Sequence, residues 1–225
     1  MEIMQILLGA LAGYACGWAV WRISRQFVPL DGIAAGTQGH ALTQLSNATH
    51  DAPLLAALIQ LSMVCWGVYA GWKGSEPAAT LLIIVTSGAL LAITVIDQKT
   101  HRIPSMLIFV LLICAILQVL LLSQPELRSA VLGLLVCGGI FFAVAIIGHG
   151  AMGVGDVKLA AAIGALLGFP AALHGLFLGI VFGGLAAAFL LLTRRAGRKD
   201  SFAYGPYLAV GAWIMLVQAW GLWPV

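Results

Sequence analysis

Leu81-Leu82-Ile83-Ile84-Val85-Thr86-Ser87-Gly88-Ala89-Leu90-Leu91-Ala92-Ile93-Thr94-Val95-Ile96 runs without a single charge and then meets Asp97. A bilayer core is crossed by about 20 predominantly apolar residues in a helix, because every backbone N–H and C=O must be paired within the segment. The run therefore predicts a membrane-spanning helix whose polar end carries a carboxylate. Beyond it the chain is polar through Gln98-Lys99-Thr100-His101-Arg102 and turns apolar again at Ile103-Pro104. Pro104 suits the first turn of a following helix, where its missing N–H costs nothing.

Working outward, the same pattern repeats. Apolar runs fall at 3–22, 54–72, 78–96, 104–122, 129–148, 156–168, 171–193 and 206–223. The expected fold is all-α: a polytopic membrane helix bundle of about eight transmembrane helices forming one integral membrane domain over 1–225. The sixth and seventh runs are separated only by Gly168-Phe169-Pro170, so a seven-span alternative stands beside it. Composition agrees with lipid as the solvent. Hydrophobic residues make up 62% of the 225 residues and charged ones 8%, against about 25% charged in soluble domains. The first run, Ile3 to Trp21, follows Glu2, with its basic residues Arg22 and Arg25 on the far side. That is the reverse of a secretory leader and suits a retained span.

Charge placement predicts orientation. With the N-terminus outside, the inner segments hold Arg22, Arg25, Lys99, Arg102, Lys158, Arg194, Arg195, Arg198 and Lys199, and the outer ones hold Lys73 and Arg128. Basic residues concentrate on cytoplasmic loops. The net charge of +3 is too small to suggest a nucleic-acid partner. Membrane lipid is the expected surroundings, and oligomeric state is not legible. Residues 23–53 are read as a cytoplasmic loop. His40, His50, Asp31 and Asp51 within it match no metal-ligand spacing, and no metal site is expected. Cys16, Cys65, Cys114 and Cys137 all lie in apolar runs without a CxxC pair, so they read as small hydrophobes. Trp213, Trp220 and Trp223 read as interfacial anchors, and Gly175, Gly179, Gly183 and Gly184 as close-packing positions.

A second carboxylate stands out at Gly153-Val154-Gly155-Asp156-Val157-Lys158-Leu159. Two spans separate it from Asp97, so the chain crosses out and returns, and both carboxylates come to the same inner face. Two neighbouring carboxylates resist joint ionisation. One is then free to act as general base toward water while the other donates a proton, which is peptide hydrolysis without metal or covalent intermediate. Two other readings share these observations. The aspartates pair with Lys99, Arg102 or Lys158, with Asp156 a plain helix cap, or they form an ion or proton pathway of a transporter.

The residues also carry a resemblance. Gly153 to Leu159 resembles the GxGDxKL motif of the type IV prepilin leader peptidases, a family of intramembrane aspartyl peptidases. Asp97 with Arg102-Ile103-Pro104 is similar to that family's first aspartate motif. Phe202-Ala203-Tyr204-Gly205-Pro206-Tyr207-Leu208-Ala209 looks like its FGPxLA segment at the start of the last span. The resemblance covers a peptidase core over residues 78–223. It implies Asp97 and Asp156 as catalytic residues, with Gly153, Gly155, Lys158, Pro104, Gly205 and Pro206 in support. It implies an enzyme of the bacterial inner membrane, its active site facing the cytoplasm. The implied substrates are prepilins and pseudopilins of type IV pili or type II secretion, cut after the leader Gly. No cofactor is implied for the peptidase. Many members also methylate the new N-terminus with S-adenosylmethionine and carry two CxxC pairs in the first inner loop. Residues 23–53 contain no cysteine, so the zinc module is missing and methylation stays open.

Overall fold

A computed structural model describes residues 2–27, 40–73, 76–148, 152–193 and 203–221. Among the described residues there are eight helices and no strand: α1 (Glu2–Phe27), α2 (His40–Lys73), α3 (Pro77–Thr100), α4 (Ser105–Leu122), α5 (Leu127–Ile147), α6 (Val154–Leu167), α7 (Ala171–Leu192) and α8 (Gly205–Ala219). They correspond one for one to the eight apolar runs. α1, α3, α4, α5 and α7 are long and apolar enough to cross a membrane. This is a multi-pass membrane protein. The chain divides into two units, Met1–Ile84 and Val85–Val225.

Residues 23–53 depart from the loop expected there. α1 continues to Phe27, and α2 already begins at His40. Ala41, Leu42, Gln44 and Leu45 are strong helix formers, and hydropathy carries no signal for a helix that continues beyond its apolar stretch. Asp31 lies outside the described residues, as do the side chains of His40, His50 and Asp51.

In the first unit, α1 and α2 meet backbone to backbone. A Cβ on Gly9 would collide with the Gly67 carbonyl, and one on Gly13 with that of Met63. Small residues at four-residue spacing allow this approach, and in lipid the gain is van der Waals packing rather than water release.

The second unit is arranged around α6. Leu159, Ala160, Ala162 and Ile163 are each 0% exposed, and α6 packs against α4, α5, α7 and α8. Its small side chains permit that crowding. Gly164 faces Gly133 of α5 so closely that neither position has room for a Cβ. By contrast, α4, α5 and α7 expose one large apolar side, with Phe109, Leu135 and Phe177 each at least 60% exposed. A surface of that kind suits lipid. α6 has 14 residues, a length of about 21 Å, where a span needs about 30 Å.

The turn at Gly168 separates α6 from α7 as distinct helices. Gly168 has φ +70, a conformation natural to glycine. Phe169 N donates to Ser129 O at 3.0 Å, and Ser129 Oγ donates to Phe169 O at 2.7 Å, so the turn is held to the start of α5. Gly175, Gly179 and Gly183 pack against α8 or Tyr204 as expected, whereas Gly184 has nothing within 4 Å. Trp213, expected as an interfacial anchor, also makes a bond inside the bundle. Its Nε1 donates to Ser87 Oγ at 3.2 Å and ties α8 to α3. Among the described residues no disulfide joins Cys16, Cys65, Cys114 or Cys137.

Candidate active site

Asp97 lies in the last turn of α3 and is only 4% exposed. Burying a carboxylate there is costly without a donor. The donor comes from α8: Gly205 N donates to Asp97 Oδ2 at 3.0 Å. The first N–H groups of a helix lack intrahelical partners and lie at the positive end of its dipole. Gly205 opens α8, with a proline in the first turn behind it. That proline is Pro206, whose ring presets a helical φ and which has no N–H of its own. A Cβ at position 205 would lie 2.7 Å from Asp97 Oδ2. Glycine is therefore required for this close approach.

The chain leaves α3 through His101 (φ 49), whose N–H returns to Asp97 O at 2.8 Å. Thr100 Oγ1 donates to Ile96 O at 2.9 Å and to Arg102 O at 3.3 Å. Pro104 is the N-cap of α4 (φ −64, ψ 127), one position ahead of the first turn expected for it. This short connection turns Ile103 inward. A Cβ built on Gly155 would stand 3.2 Å from Ile103 Cβ, and one built on Gly205 3.2 Å from Ile103 Cδ1.

Asp156 enters from α6. Gly153 is the N-cap, and Asp156 is the third helical residue. Its own N–H donates to Gly153 O at 3.0 Å. Its carboxylate returns to the Gly153 backbone N–H, the reach-back that an acidic third residue makes in a capping box. So Asp156 is not the cap itself. The Asp97 charge acts on Asp156, which places the two carboxylates within electrostatic reach of each other.

Two further side chains border the pair. Tyr204 precedes α8; burial, then the Asp156 charge, pushes its phenol above the usual range. Its ring packs on Gly183, and its hydroxyl donates to Ile180 O at 3.4 Å. His101 is exposed but feels the Asp97 charge. Lys99, Arg102 and Lys158 are exposed. Thus Asp97, Asp156, Gly153, Gly155 and Gly205 converge, Pro104 and Pro206 set the helix starts beside them, and Lys158 points outward. Ile103 and Tyr204 were not among the expected site residues, although both lie inside the motifs quoted above. Among the described residues, no group of three His, Cys, Asp or Glu side chains is arranged to hold a metal ion.

Two carboxylates, one nearly sealed from solvent and each supplied with a backbone N–H, thus come within electrostatic reach of each other at the end of α3 and the start of α6. Residues 84–188 match the model of the Type IV leader peptidase family. Over that segment, 105 of the 225 residues, the chain resembles this family. It is 34% identical over 173 residues to a prepilin leader peptidase/N-methyltransferase of Aeromonas salmonicida (strain A449), covering 75% of this chain and 56% of the relative. It is 26% identical over 169 residues to the protein of that name from Pseudomonas putida, covering 73% and 58%. To the one from Neisseria gonorrhoeae it is 29% identical over 168 residues, covering 72% and 57%. The chain thus spans little more than half the length of these relatives. No solved structure matches it. The comparisons give the transporter reading no support.

Proposed function

We propose that this protein is a membrane aspartyl endopeptidase that removes the leader peptide of type IV prepilins or pseudopilins. In this reading the helices span the bacterial inner membrane with the N-terminus outside, and Asp97 and Asp156 face the cytoplasm. The observation that carries it is the convergence of these two carboxylates from α3 and α6, with the Gly205 N–H on Asp97. The names of the relatives supply the substrate class.

The chemistry follows from the shared proton. The ionised carboxylate removes a proton from water, and the resulting hydroxide attacks the carbonyl carbon of the leader Gly. The protonated partner donates to the carbonyl oxygen. When the tetrahedral intermediate collapses, the C–N bond breaks and the leaving amine takes up a proton. Acid protonates both carboxylates and removes the base; alkali ionises both and removes the acid. The rate is therefore bell-shaped in pH, with limbs belonging to the pair. No cofactor enters this reaction. S-adenosylmethionine enters only if N-methylation is retained by a chain without cysteine in residues 23–53.

The test is mass spectrometry of a prepilin incubated with the full-length protein in lipid vesicles, with S-adenosylmethionine present. A cut after the leader Gly is expected, and a further gain of one methyl group would show the second activity. Asp97→Asn and Asp156→Asn should each abolish cleavage while the protein stays inserted and folded. Cleavage that survives in either variant would sink the dyad assignment.

A further inference from the structure

We propose that Ile103 is the spacer of the carboxylate pair, a positioning residue that sets how far Asp156 stands from Asp97. The inference rests on the peptidase reading of the site. Ile103 sits on the connection between α3 and α4, yet its branched side chain has a contact on each side. Its Cβ end lies against Gly155, the residue before Asp156. Its Cδ1 end lies against Gly205, the residue that donates to Asp97. Asp156 moves with the start of α6, and Asp97 is coupled to the start of α8. The gap between these helix starts is filled by one side chain.

Both glycines belong to the device. A side chain at either would meet Ile103 at 3.2 Å, so neither position leaves ordinary room for a side chain beside the isoleucine. A residue in that place acts as a wedge. Cutting it back leaves a void whose lining atoms lose their partners, and the surroundings relax partway into it. The helix starts then close on each other and the carboxylates approach. Their repulsion grows as the separation falls, so loss of the first and second protons becomes more unequal.

The titratable groups that face the pair are His101 beside Asp97 and Tyr204 beside Asp156. Lys99, Arg102 and Lys158 lie exposed on the flanking helices and connection. None of these is altered by a change at 103. The experiment is the pH dependence of prepilin cleavage by the full-length protein in vesicles, for wild type and for Ile103→Ala, Ile103→Val and Ile103→Leu. Ile103→Ala should lower kcat by up to about a hundredfold, the scale of a ~1 Å misplacement, with KM unchanged. Its acid and alkaline limbs should move apart by about one pH unit. Ile103→Val, which loses only the terminal Cδ1, should show the same change in smaller measure. Ile103→Leu restores the volume and should return both limbs toward wild type.

A merely structural isoleucine would lower the folded fraction and leave the limbs in place. Limbs that stay put or converge in folded Ile103→Ala overturn the proposal, and Ile103→Val decides in the same way should the alanine variant not fold. The carboxyl bands in the infrared spectrum of the same vesicles, titrated without substrate, read the same spacing. A wild type that fails to cleave would sink the peptidase reading, while these bands would still decide for or against the spacer.

Discussion

Two helix starts in this molecule do similar things by different means. At α6, the Gly153 N–H serves the carboxylate of Asp156, three residues further along the same helix. At α8, the Gly205 N–H serves Asp97, 108 residues away in sequence. The first bond forms whenever α6 forms. The second exists only when α3 and α8 are both in place. A local bond holds its carboxylate to its own helix, whereas a tertiary bond makes the carboxylate's position a report on the whole bundle. The exposures agree with this division: Asp97 is nearly sealed, and Asp156 is half-buried.

If that contrast is right, glycine-to-alanine changes at the two starts will not be equivalent. The largest effect after loss of a carboxylate is expected for Gly205→Ala. Its methyl would stand 2.7 Å from Asp97 Oδ2, the movable end of a side chain. Moving it loosens the bond that a buried carboxylate receives from the Gly205 N–H, so some thermal stability is lost as well. The yielding atom is the reacting one, so cleavage should fall by about a hundredfold. Unimpaired kcat in a folded Gly205→Ala protein would break the contrast.

Gly153→Ala should do far less. Its methyl would meet Asp156 Oδ2 at 3.3 Å, Gly153 is exposed, and its φ of −70 suits any residue. The N–H that serves Asp156 is kept. A cost of at most about 1 kcal/mol to α6 is expected, from the poorer N-cap, with kcat near wild type. A rate loss as deep as that of Gly205→Ala would show that the local bond matters as much as the tertiary one.

Tyr204→Phe should be smaller still. The ring keeps its place on Gly183, and one long hydrogen bond to Ile180 O is lost, a change of about 1 kcal/mol or less. The phenol is pushed upward, so it stays uncharged throughout the range in which the carboxylates titrate. The limbs of the pH profile should not move. A shifted alkaline limb would bring Tyr204 into the proton chemistry.

The sequence carried the helices and the paired carboxylates further than it carried the site. Apart from the start of α2, uninterrupted apolar runs mark helix ends to within about five residues, and two spans between Asp97 and Asp156 force the chain to return. The meeting of the two residues was therefore legible. What holds them was not. Gly205 stood out as a helix start, but nothing in a residue pattern tells which distant oxygen a backbone N–H will meet. Ile103 belongs to the same motif as Asp97, yet a half-buried isoleucine leaves no periodic mark when it sits on a short connection. Trp213 looked like an anchor because aromatic rings favour membrane interfaces, and its bond to Ser87 depends on how α8 lies against α3. The early start of α2 was hidden for a different reason: hydropathy registers apolar length, and a helix goes on after that length ends.

The brevity of α6 has a consequence for the space around its start. α5 and α6 are pinned where Gly133 meets Gly164. From that point α5 runs on to Ile147, fourteen residues, and α6 back to Val154, ten residues. At 1.5 Å per residue the start of α6 falls about 6 Å short of the end of its neighbour. Because α6 is enclosed by α4, α5, α7 and α8, its shortness leaves a recess at the start of α6, with Asp156 set below the end of α5.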